Sequence, residues 1–188
     1  MSMNDKISNN KITTPIYFVG VVFLRFNYYT ALLEEATRIE KDVFGVRDEI
    51  LERKPLHDRW RDEIMDRLYT DFLPPIERRD LLTLVQNMGY VAYEVRECML
   101  LKSITSAEGE IMRQKLQNTI KVLRKETEAL EQKKSAPKNL RDEVYSLLSL
   151  WRDSVKSGGN PTICDGFEAV AEALLKYTDT LETICILM

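Results

Sequence analysis

Apolar residues recur at alternating steps of three and four along most of this chain, and that spacing is the strongest constraint on its fold. Leu32, Ala36, Ile39, Val43, Val46 and Ile50 form one such run. Leu81, Leu84, Met88, Val91, Val95 and Cys98 form another, and Met112, Leu116, Ile120, Leu123 and Leu130 a third. Leu140, Val144, Leu147, Leu148, Trp151 and Val155 continue the pattern, followed by Phe167, Val170, Leu174, Leu181, Ile184 and Met188. Residues three and four apart share one face of an α-helix, so each run is a stripe that must be buried against other helices. Only 7 Gly and 6 Pro punctuate the 188 residues, too few for a fold of many strands, each of which needs its own turn. The expectation is an all-α bundle of about six antiparallel helices.

The breaks between stripes place those helices. The first is expected from Pro15 towards Arg53, with a bend at Phe44-Gly45. Pro55, which lacks a backbone donor and clashes with the preceding turn, is expected to end it. A shorter second helix, Leu56–Thr70, carries Trp60, Ile64 and Leu68 on one face. The paired prolines of Phe72–Ile76 make an extended connector before a third helix restarts at Glu77. Ser103–Gly109 is a turn, with Ser106 as N-cap. A fourth helix closes at Lys133–Pro137, a fifth spans Lys138–Ser157, and Ser157–Pro161 is the clearest loop. The sixth helix runs from Cys164 to Met188. The polar segment Met1–Thr14 reads as a disordered tail, and residues 15–188 as one helical domain. Its helices fall into two runs of three, halves of about 15–103 and 104–188 related by pseudo-twofold symmetry. Trp60 and Trp151, each on the middle helix of its half, are expected to be largely buried.

Composition narrows the function classes. With 44% hydrophobic and 30% charged residues the chain is that of a folded protein. A net charge of −3 gives no basic face for nucleic acid. Ile16–Leu33 is rich in aromatic and aliphatic residues but is interrupted by Arg25 and Asn27, short of the ~20 apolar residues a bilayer needs. It lacks a small-residue cleavage site and reads as the start of a buried helix, with a strand as the alternative. No membrane insertion is expected. Cys98, Cys164 and Cys185 form no CxxC pair, which leaves neither a zinc knuckle nor a redox motif. They read as small buried hydrophobes in a reducing, cytoplasmic compartment.

His57 is the only histidine. A di-iron site built on two Glu-x-x-His elements is thereby excluded, and any Ser-His or Cys-His dyad must use His57. Among charged neighbours it is expected to be solvated at the surface. No glycine loop that cradles phosphate is present. Lys133, Lys134, Lys138 and Arg141 read as a solvated interhelical loop. No catalytic constellation and no cofactor site emerge.

The stretch His57–Leu84, HDRWRDEIMDRLYTDFLPPIERRDLLTL, resembles the PhoU-related family of phosphate transport regulators. Asp58 matches the aspartate of that family's first element and Glu63-Ile64 its Glu-Ile. Phe72 and Pro75 match its Phe-x-Pro connector, and Arg78 and Asp80 the opening of its third helix. The resemblance implies a PhoU-like bundle of two three-helix halves acting as an accessory or regulatory protein of phosphate uptake. It would associate through a helix face with a membrane phosphate transporter or a signalling partner, as a homodimer and without catalysis. A helical scaffold or adaptor with no phosphate role is the alternative.

Members of the family that bind metal clusters use acidic pairs four apart on the third and sixth helices. Here those positions fall at Gly89 and Tyr93, and at Leu175 and Asp179. A hard cation needs several convergent oxygens, so no multinuclear cluster is expected. Asp58, its counterpart Asp142 on the fifth helix, and Asp179 remain as weak candidates for a single ion. Asp80, in the first turn of its helix, also complements the helix dipole, and Arg78 can reach Asp58 or Asp62.

Overall fold

The computed structural model describes residues 16–70, 76–131 and 138–187, with side chains described from Tyr28 onward. Six helices account for nearly all of them: α1 (Ile16–Phe44), α2 (Arg47–Thr70), α3 (Arg78–Met99), α4 (Ala107–Glu131), α5 (Lys138–Lys156) and α6 (Pro161–Leu187). A 3₁₀ turn, Lys102–Thr105, links α3 to α4, and no strand occurs among the described residues. The fold is an all-α bundle of six helices. None of the described helices is long and apolar enough to cross a membrane. The expected disordered tail, the Pro74-Pro75 connector, the Lys133–Pro137 break and Met188 lie outside the described residues.

The apolar stripes meet as their spacing requires. Leu32, Ala36, Ile39 and Val43 of α1, Leu84, Met88 and Val91 of α3, Leu116 and Ile120 of α4, and Phe167, Val170 and Leu174 of α6 are all buried in one core. α3 packs most extensively on α6, and α1 on α4 and α3. α2 lies against α3 and α1, while α5 lies against α4 and α6. The outer helices therefore occupy comparable places in the two runs. The inner ones differ, since α1 packs broadly on α3 whereas α4 barely touches α6. The buried threonines Thr119, Thr127 and Thr178 are hydrogen-bonded within their helices. Thr127 donates to the Leu123 carbonyl at 2.8 Å. Its oxygen is then left to accept from the buried Tyr177 hydroxyl at 2.9 Å.

The end of the bundle at α5–α6 is tied by caps. Ser106 accepts from the Gly109 amide at 3.1 Å, as an N-cap should. Gly158, at φ 79°, takes the left-handed conformation that closes α5. Asn160 then caps α6, accepting from the Thr162 amide at 3.0 Å, with Pro161 at the first helical position. Glu108 of α4 accepts from Ser154 of α5 and from the Asn160 amide, and these bonds hold its carboxyl below the usual range. One carboxylate thus joins three helices.

Four expectations about the helices need correction. Pro55 does not end a helix: the break falls at Gly45-Val46, and Pro55 sits inside α2. Pro55 and Leu51, whose carbonyl loses its helical partner, both lie on the exposed face. Water can hydrate that carbonyl, while Ile50, His57 and Trp60 pack on the other side. Val46, placed on the α1 stripe, is consequently 65% exposed, and Val155 near the end of α5 is also exposed. Trp151 is half-buried rather than buried, and its Nε1 has no hydrogen-bond partner among the described residues. Trp60, by contrast, is 4% exposed and donates through Nε1 to the Ala31 carbonyl at 2.7 Å.

Candidate functional site

Two acids share the core face of α1. Glu35 and Asp42 are two helical turns apart, beside Ala36 and Val43 of the apolar stripe, and both are fully buried. On α2 the stripe Ile50, Arg53, His57, Trp60, Ile64 brings a guanidinium and an imidazole against them. The His57 Nδ1 contacts Glu35 Oε1, and Nε2 lies 2.8 Å from Asp42 Oδ2. Arg53 donates through Nε to Asp42 Oδ1. Arg38 donates to the second Glu35 oxygen at 3.0 Å. Burial alone would favour neutral imidazole, but the bonds to Asp42 and Glu35 outweigh it and raise the His57 pKa to about 9. His57 is an imidazolium at neutral pH, with both ring nitrogens donating. It is 5% exposed, not the solvated surface histidine its neighbours suggested.

The sign of the pH effect follows. His57 titrates near 6.5 when unfolded and near 9 when folded. Its contribution is fully present below pH 6.5 and is lost as the pH rises through 9, amounting to about 3 kcal/mol. Urea unfolding at pH 6 and pH 9.5 should show that loss. Equal stability at the two values would mean that His57 is not held as the cation.

On the other side of His57, α2 and α3 enclose a groove of about 300 Å³. Asp58 and Arg61 line it from α2, and Gln86, Gly89, Tyr90, Tyr93 and Arg96 from α3. Arg96 is 3% exposed and stacks on the Tyr93 ring at 5.3 Å. The Tyr90 hydroxyl bonds Glu94, whose charge pushes the phenol up, and Lys176 of α6 lies 4.9 Å from the same ring. Gly89 and Tyr93, where the resemblance places a metal-binding acidic pair, are thus two walls of a groove that also holds two arginines.

The other sequence-derived candidates are dispersed. Asp58 is exposed at the rim of this groove. Glu63 lines a separate α1–α2 cleft with Arg38 and Trp60. Arg78 opens α3 at the surface, and Asp80 lies in its first turn. Phe72 and Pro75 lie outside the described residues. Asp142 is exposed on α5, while Asp179 on α6 accepts from Arg141 at 2.6 Å. Arg141 also donates to both oxygens of Glu182, at 2.7 and 2.6 Å, so it is an interhelical clamp and not a loop cation. Asp58, Asp142 and Asp179 are not brought together, and no group of three or more His, Cys, Asp or Glu side chains is arranged to hold a metal ion among the described residues. Compared with known protein families and with curated proteins, the chain matches none.

Proposed function

We propose that this chain is a non-enzymatic accessory or regulatory protein of phosphate uptake, associating through a helix face with a transporter or signalling partner. The site is read as cytoplasmic and the chain as a homodimer. The phosphate connection rests on the resemblance carried by Asp58, Glu63, Arg78 and Asp80. The observation that carries the non-catalytic reading is the state of His57. A general base must have a free lone pair near neutral pH, and this imidazolium donates from both nitrogens to buried carboxylates. Two thiols are also held in the protonated form: burial, with a smaller push from Glu94, raises Cys98 to about 12, and burial raises Cys185. A histidine and two thiols held in these states support the non-enzymatic reading.

The test is phosphate uptake in cells that contain or lack the chain, together with recovery of the protein from membranes bearing the phosphate transporter. Uptake is expected to change when the chain is removed, and the protein to co-purify with those membranes. Unchanged uptake would overturn this reading in favour of a scaffold without a phosphate role.

A further inference from the structure

We infer that the groove between α2 and α3 is a binding site for a small oxyanion of the phosphate type, with Arg96 and Arg61 as its cationic partners. The decisive feature is Arg96. Its side chain is only 3% exposed, yet its charge is poorly matched. The contact with Glu97 is 3.5 Å long and runs to a side chain that is 48% exposed. Its Nε is buried without a hydrogen-bond partner among the described residues. A buried guanidinium left in this state costs free energy, because water has been removed and no full counter-charge replaces it. A bound anion supplies that counter-charge, and a planar guanidinium offers it paired donors.

The rest of the groove suits the same ligand. Arg61 lines the same groove from α2 and is half-exposed, with one 3.5 Å contact to the solvent-facing Asp62. Gln86 adds a neutral amide. The imidazolium of His57 is already matched by Glu35 and Asp42, so the unmatched positive charge lies with the two arginines. Asp58 is the one carboxylate in the lining. Gly89 keeps the space open: a Cβ there would meet only the Arg61 Cδ, at 3.7 Å. The volume, about 300 Å³, is at the low end for ligand clefts and fits a free oxyanion better than a nucleotide. The groove would bind its anion whether or not the chain acts on phosphate uptake, so the titration below and the uptake assay can fail separately.

Inorganic phosphate is titrated into the full chain at constant ionic strength, set with sodium chloride. Thermal midpoint and ³¹P linewidth are the readouts. Both should change saturably, sulfate should compete, and chloride should not. Arg61→Gln, at a half-exposed position that does not hold the core, should weaken phosphate at least tenfold. Gly89→Asp places a carboxylate in the open space beside Arg61 and should abolish binding without loss of fold. Arg152→Gln, on the exposed face of α5, should leave binding unchanged. Arg96→Gln is informative only if it folds, and the other variants decide the matter without it. Absence of saturation, or phosphate affinity unaltered in both Arg61→Gln and Gly89→Asp, would overturn the assignment.

Discussion

His57→Leu is expected to lower the free energy of unfolding by about 3–5 kcal/mol, as deletion of one partner from a buried ionic cluster does. Glu35 and Asp42 are fully buried and depend on His57, Arg53 and Arg38 for compensation. Leucine fills a similar volume, so the loss reports charge and hydrogen bonding more than packing. Arg53 and Arg38 would remain, but each faces one carboxylate, while His57 bridges the pair. Chemical denaturation at pH 6 measures the effect. A companion variant makes the result specific: His57→Leu with Glu35→Leu removes a stranded carboxylate along with the imidazole and should recover part of the loss. A single-variant cost under about 1 kcal/mol would show that the cluster is not coupled as its geometry indicates.

The two tryptophans give a contrast of comparable size. Trp60→Ala should cost about 3–5 kcal/mol, the range for deleting a large aromatic from a close-packed core. Its ring is 4% exposed between α1 and α2, and its Nε1 bond to the Ala31 carbonyl would be lost as well. Trp151→Ala should cost clearly less. That side chain is half-buried, the space it leaves opens towards solvent, and no hydrogen bond goes with it. Thermal or urea melts of the two variants side by side decide this. Equal losses would mean that the α5 face is packed more tightly than its exposure implies.

The amphipathic stripes of α1, α3, α4, α5 and α6 were legible in the sequence because each is long and keeps one period, and they define the bundle. The Ser106 cap and the Ser157–Pro161 loop were legible for the same local reasons. The buried cluster was not, and Pro55 is the cause. Taken as a helix terminus, it separates Ile50 and Arg53 from His57 and Trp60, and the shared face disappears. Carried through as one helix, Ile50, Arg53, His57, Trp60 and Ile64 step by three and four, which places a histidine and an arginine on an apolar face. Glu35 and Asp42, each next to a core position of α1, were the matching signal on the other side. Exposure of Leu51 on the solvent side of α2 is what lets the helix tolerate the proline, and burial of that kind is set by tertiary packing. The α2–α3 groove was illegible for a different reason. Its character depends on how Arg61 and Arg96, 35 residues apart in sequence, share a cavity that Gly89 leaves open.

The cluster also bears on the order in which the chain acquires its structure. Its bonds join residues only 15 and 22 apart, whereas the Asn87–Thr180 bond between α3 and α6 spans 93. Closing a short loop costs less entropy than closing a long one, and local contacts speed folding. The α1–α2 hairpin can therefore form before α3 and α6 meet, and it carries two carboxylates with it into the developing core. Whether that step is easy depends on His57 holding a proton, which the unfolded ring, titrating near 6.5, binds only in part at neutral pH. In alkaline solution the hairpin must close around a neutral ring, so the kinetic barrier to refolding should rise with pH. The route to the native state, and not only its depth, is then tied to one proton.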